Sequence, residues 1–258
     1  MIGFLIKKVF FDIWDNMLRL VFLSVVYIFT LVLFYFSGMV GETSTILSLL
    51  ILLSDVLLFS LYSLGVSGIT KCYSDYHAKG FLAFKEAIKY HWKHAILHFG
   101  LCCIIGLIYI YLIPFYFAIN SFIGLLLGML MFWISIVLIL AMQYFYPLCM
   151  TMEGDGPFKT FKKCLILTAD NFGASIFLLI RTILDFALTV LTASLVPGLA
   201  GISLSRMDTV KLIMKKYDYL EANPGATKKD INWEDLLYEE RELVGPRSLK
   251  GMLFPWKD

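Results

Sequence analysis

"ILSLLILLSDVLLFSLYSLGVSGI", residues 46–69, holds a single charged residue, Asp55, in twenty-four positions. About 20 predominantly apolar residues cover the hydrocarbon core of a bilayer, so this stretch reads as a transmembrane helix. Outward from it, residues 17–38, 95–117, 121–150 and 172–195 have the same character. A sixth stretch, 197–214 ("PGLAGISLSRMDTVKLIM"), is weaker on hydropathy. Its Arg206 and Asp208 are costly at mid-bilayer and less so near a helix end. The whole chain agrees: 258 residues, 59% hydrophobic and 16% charged, with a mean hydropathy of +0.78, well outside soluble composition.

Charge placement orients these stretches. The connections 39–45, 118–120 and 195–200 hold no Lys or Arg. Every basic cluster falls on the other side: Lys7, Lys8 and Arg19; Lys71 to Lys93; Lys159, Lys162 and Lys163; Lys211, Lys215 and Lys216. The positive-inside rule therefore puts both termini in the cytoplasm, which requires an even number of crossings; six are expected. Cys102 and Cys103 sit in an apolar run and Cys72, Cys149 and Cys164 beside basic segments, so reduced thiols are expected rather than disulfides.

Three short amphipathic stretches precede pairs of apolar runs: "IKKVFFDIWDN" (6–16), "FKEAIKYHWKH" (84–94) and "FKKCLILTADN" (161–171). In register, Lys7, Lys85 and Lys162 coincide, and so do Asn16, His94 and Asn171, at offsets of 78 and 77 residues. The spacing predicts three repeats, about 4–70, 82–152 and 159–216, each an amphipathic elbow followed by a helical hairpin. Such elbows lie in the headgroup layer, with Trp14 or Trp92 at the interface and lysines toward anionic membrane lipid. The fold class expected is all-α: a polytopic transmembrane domain over 1–216 and a cytoplasmic tail over 217–258.

The stretches "GFLAFKEAIKYHWKHAILHF", "ILAMQYFYPLCMTMEGDGPFKTFKKCLILTADNFGASIFLLI" and "GISLSRMDTVKLIMKKY" resemble the YesL-like family of bacterial membrane proteins, over roughly residues 5–217. The resemblance implies a small multi-pass protein of the bacterial inner membrane. It also implies an accessory role beside a carbohydrate-uptake ABC transporter, with a permease or another membrane subunit as partner.

Candidate chemistry is sparse. Asp55, Arg181 and Asp185 are the ionisable residues deep in strong apolar runs; Arg181 and Asp185, at i and i+4, can pair, and Asp55 lies at a depth where it could join them. A relay or solute site and a buried pair aligning hairpins are both open, the latter favoured because a transport path shows more polar lining. His91, His94 and His98 form one helical stripe that could ligate a transition metal. No acid or thiol in that segment completes the set, so no metal and no cofactor are expected. P-loop, Gly-x-Ser-x-Gly and His-Glu-x-x-His patterns are absent, and no catalytic residue is expected.

Residues 1–216 carry 16 Lys/Arg against 11 Asp/Glu, and 217–258 carry 6 against 9, which argues against nucleic-acid binding by the acidic tail. The tail keeps Trp233, Phe254 and Trp256 as well as Arg247, residue types that anchor interfaces. It either folds back under the elbows or docks on a partner. The expected function is a non-enzymatic accessory subunit of a carbohydrate ABC transporter; the alternative is a small-solute or ion carrier with an intramembrane Asp/Arg site.

Overall fold

The computed structural model describes residues 2–77, 80–152, 154–192, 198–228 and 230–247. Helix α1 (Ile2–Asp15) is followed after one residue by α2 (Met17–Gly41), then α3 (Thr45–Ser74) and α4 (Gly80–Leu107). A π-helical turn (Ile108–Leu112) leads into α5 (Ile113–Ala118); α6 (Phe122–Met142), α7 (Phe145–Thr151), α8 (Pro157–Asp170), α9 (Phe172–Leu191) and α10 (Leu199–Ala222) follow. The C-terminal segment adds α11 (Trp233–Leu236) and α12 (Tyr238–Val244). Among the described residues, five helical stretches are long and apolar enough to cross a membrane: 17–41, 45–74, 80–118, 122–151 and 172–191. Their outer faces present Leu18, Phe22, Phe29, Ile46, Phe122 and Leu191, a surface suited to hydrocarbon.

Local chemistry explains the breaks. Pro114 has no N–H for the carbonyl of Ile110, and the chain takes the wider π turn there. Pro147 likewise leaves the Gln143 carbonyl without its helical donor, so the span expected over 121–150 is present as 122–151 with a break at Gln143 and Tyr144, where α6 meets α7. The middle elbow is not a separate helix either. No Gly, Pro or capping residue lies between Lys85 and Leu97, so elbow and span run together as α4, with one non-helical residue at His91 (φ −119°, ψ 15°).

Two of the aligned elbow residues do the same job. Asn16 and Asn171 occupy one-residue breaks, and each Nδ2 donates to the carbonyl four residues back, Asp12 O at 2.9 Å and Leu167 O at 3.2 Å. His94 departs from that pattern: it is buried three residues past the kink, with Nε2 3.2 Å from Thr160 Oγ1. Trp14, Trp92, Lys85 and Lys162 are exposed.

Helix α3 is central, packed on α2, α4, α7 and α10. Its approach to α4 is close: a Cβ on Gly68 would lie 2.7 Å from both the Ala83 carbonyl oxygen and the Ala87 Cβ. Gly68→Val is expected to force α3 from α4 and destabilise by about 1–3 kcal/mol. Gly100→Ala, with nothing within 4 Å of its Cβ, should be neutral. Equal thermal midpoints for the two variants in detergent would refute the close-packing account.

The start of α10 slots into this core. The Ala200 N–H donates to Ser24 Oγ (3.2 Å), and Ser203 Oγ lies 3.3 and 3.2 Å from Ser67 Oγ and Thr70 Oγ1. Ser24 is seven residues into α2, so α10 begins part-way along that helix rather than at its far end. Buried hydroxyls such as Ser24, Thr30, Thr189 and Ser205 turn back to their own helix carbonyls, which satisfies them among apolar neighbours.

Candidate functional site: a polar cavity beside Arg206

Between α2, α3, α6, α7, α9 and α10 lies a cavity of about 480 Å³. Phe59, Phe186, Ile183 and Leu199 make its apolar walls, and Tyr27, Ser63, Ser67, Gln143, Thr182, Ser203 and Arg206 supply polar groups. The combination of apolar walls and a few convergent polar groups is the usual make-up of a ligand pocket. Tyr27 donates to Ser63 Oγ at 3.1 Å, which orients one rim.

Arg206 is the distinctive member. Its Nε is buried without a hydrogen-bond partner, and among the described residues no carboxylate lies within ion-pair distance. Asp208, two residues on, turns away to Lys8, 3.6 Å from its Oδ1. Arginine inside an apolar bundle is normally paired, as Arg181 is with Asp185, which sets Arg206 apart.

The expected Asp55, Arg181 and Asp185 cluster does not assemble. Arg181 Nε and Asp185 Oδ2 pair along α9 at 3.2 Å, as their spacing predicts. Asp55 stays apart, its Oδ1 buried without a partner, in a separate hollow of about 230 Å³ with Thr30, Cys102 and Leu199. The reason is facing: Arg181 closes on its own helix neighbour, whereas Asp55 points between α2 and α4. Leu31, Phe59 and Leu199 line both hollows. Arg206 is not among the site residues expected from the sequence, although an uncompensated arginine in an apolar stretch is itself a site signal.

His98, expected in one stripe with His91 and His94, belongs beneath this cavity instead. Its Nδ1 is 3.0 Å from Ser60 Oγ, and its ring stacks on Tyr146 at 4.5 Å, whose hydroxyl donates to the Ser60 carbonyl.

On the basic face, a buried charge network holds the C-terminal segment. Lys8 is fully buried and reaches Asp12 (2.7 Å), Asp208 (3.6 Å) and Glu240 (3.4 Å), with Tyr76 Oη at 3.1 Å. Burial alone would lower the Lys8 pKa; Asp208 and Asp12 outweigh it and hold the ammonium protonated well above the ordinary lysine range. Tyr76, at φ 56°, is kept in left-handed backbone by these contacts, its hydroxyl donating to Asp12 at 2.9 Å. Glu240 of α12 also meets Lys211 (3.0 Å) and Lys215 (3.5 Å), while Leu237 and Val244 are buried beside it.

The tail residues expected to serve a partner are used internally. Arg247 pairs with Asp15 (2.8 Å) over the Phe11 ring, Lys7 donates to the Gly245 carbonyl (3.1 Å), and Trp233 packs on the α1–α3 core. Phe254 and Trp256 lie outside the described residues. The described residues 230–247 therefore fold back, because their acids and apolar groups complement lysines and a groove already on the chain.

Burial pushes the Glu240 carboxyl up, but Lys211, Lys8 and Lys215 together hold it below the ordinary glutamate range. A lowered folded pKa means the stabilisation is present above the ordinary glutamate pKa and lost as pH falls through the folded value. The Lys8 contribution, from a raised pKa, is constant at all pH values below the ordinary lysine range. A spin label on Leu243→Cys is thus expected to be immobile at neutral pH and mobile in acid below the ordinary glutamate range. Glu240→Gln should free it already at neutral pH. A label equally immobile at both pH values would show that the ion pairs do not hold α12.

Among the described residues the chain is all-helical, with five stretches long and apolar enough to cross a membrane and a cavity with polar lining between them. No family model, curated protein or solved structure matches this chain.

Proposed function

We propose that this protein is a non-enzymatic transport protein of the bacterial inner membrane, whose cavity holds a small acidic solute against Arg206. The observation carrying this reading is the buried, unpaired Arg206 Nε in a cavity of about 480 Å³. Its hydroxyls, the Gln143 amide and the aromatic walls suit a hydroxylated ring bearing one negative charge, the chemistry of a sugar acid. In this reading α10 is the short sixth arm, both termini are cytoplasmic, and α1, the first half of α4 and α8 are three repeated elbows. The experiment is binding of radiolabelled D-glucuronate, against neutral D-glucose, to purified protein in nanodiscs. Preference for the acid, lost in Arg206→Gln, is the expected result; no binding of either, or binding unchanged by the variant, rejects the reading.

The second reading is an accessory subunit of a carbohydrate ABC transporter, as the YesL-like resemblance implies. One observation favours it: Tyr238 and Leu243 stay exposed on α12, beside a groove formed by Phe4, Lys7, Arg241 and Gly245. Copurification of a permease from mild detergent, weakened by Leu243→Glu, supports it; a clean single species in every preparation counts against it. The two readings are compatible, since a solute-holding subunit could hand its load to a transporter.

A further inference from the structure

We propose that His91, His94 and Cys149 form a site for a transition-metal cation of the Zn²⁺ class, independent of the Arg206 cavity. Their three ligand atoms lie within 4.8 Å of one another, brought together by the kink of α4 and the first turns of α7. The thiol missing from the histidine stripe is thus supplied from more than fifty residues away, and His98 has no part in it.

Thr160 Oγ1 lies 3.2 Å from both the Gly156 carbonyl and His94 Nε2. In the metal-bound state, the hydroxyl gives its proton to that carbonyl and accepts from Nε2–H, which leaves the Nδ1 lone pair for the ion. That Nδ1 is buried and has no hydrogen-bond partner; the His91 and Asp155 backbone groups near the ring give it no aligned bond. An imidazole held through one nitrogen by an outer group, its other nitrogen bare, is how proteins present histidine to a metal. His94 is 5% exposed and Cys149 1%, so neither side chain has water to satisfy it instead.

Geometry suits a tetrahedral ion. Metal–nitrogen distances near 2.0–2.1 Å and metal–sulfur near 2.3 Å put tetrahedral ligands about 3.3–3.6 Å apart. Closing from 4.8 Å takes small side-chain rotations of His91 and Cys149. His91 also lines a cavity of about 560 Å³ with Lys71, Glu86 and Met150, through which an ion enters and a water or anion takes the fourth position. Binding expels the thiol proton of Cys149, so the bound state is a neutral imidazole pair with one thiolate. Two nitrogens and a sulfur select Zn²⁺, Co²⁺ or copper over Mg²⁺ or Ca²⁺.

The test uses full-length, chelator-stripped protein carrying a histidine-free purification tag, titrated with Co²⁺ and then Zn²⁺. One Co²⁺ per chain with a thiolate-to-cobalt charge-transfer band, bleached by Zn²⁺, is expected. Cys149→Ser should remove the band, and His91→Gln should weaken binding at least about tenfold. Thr160→Val should weaken it about 10–100-fold while leaving the band in place. His98→Gln should change nothing. If the buried Cys149→Ser chain does not accumulate, His91→Gln on the cavity wall carries the decision. Absence of a thiolate band in the unaltered protein, or affinity unmoved by His91→Gln, overturns the site.

Discussion

Lys8→Met is expected to lower the thermal midpoint in detergent by roughly 10 °C, the largest stability loss for any single side chain on the basic face. Removing one partner of a buried ion pair costs about 3–5 kcal/mol, because the other charge stays buried without compensation. For a chain of this size, 1 kcal/mol moves the midpoint by about 2–4 °C. Here three carboxylates are affected, Asp12, Asp208 and Glu240, and none of their side chains is more than 3% exposed. Lys211 would still reach Glu240, but no other lysine pairs with Asp12 or Asp208 among the described residues. Lys8→Met with Asp208→Asn should recover part of the loss, since the double change removes one of the stranded charges. A Lys8→Met midpoint equal to the unaltered protein would show that water reaches these acids and that the network does not hold the C-terminal helices.

Arg206→Gln should behave in the opposite way. With no carboxylate to strand, its removal takes away a desolvated charge, so the midpoint is expected to stay or rise. Affinity for a sugar acid is expected to fall about 10–100-fold, the equivalent of one charged hydrogen bond of about 1.5–3 kcal/mol. Weak binding of a neutral sugar should be unaffected. Equilibrium binding and thermal unfolding on the same preparation separate the two effects. A stability loss matching that of Lys8→Met would mean that Arg206 is a structural partner of groups lining the cavity and not a ligand contact.

Much of the architecture was legible in single segments. The run at 46–69 became part of α3, residues 6–15 of the first amphipathic stretch fell within α1, and Arg181 closed on Asp185 one helical turn away. Each depends on neighbours a few residues apart, where hydropathy and the 3.6-residue period act directly. The breaks at Pro114 and Pro147 are equally local in cause, because a missing N–H is a property of the residue itself. Asn16 and His94 show the boundary: they align in register, yet Asn16 ends a helix while His94 is buried against Thr160 of α8.

The amino-acid sequence by itself determined an all-helical chain with membrane-length apolar segments, amphipathic elbows and a charged, partly apolar C-terminal segment. Only the tertiary structure decided that Arg206 would face a cavity without an acid, that Asp55 would stand apart from Arg181, that Cys149 would complete the pair His91 and His94, and that Glu240 would close over Lys8. Hydrophobic patterning acts along a few turns of one helix, whereas each of these meetings joins segments distant in sequence. Which charges and lone pairs find partners is set by the rotation and depth at which the packed helices cross, and those are settled by side-chain fit over the whole bundle.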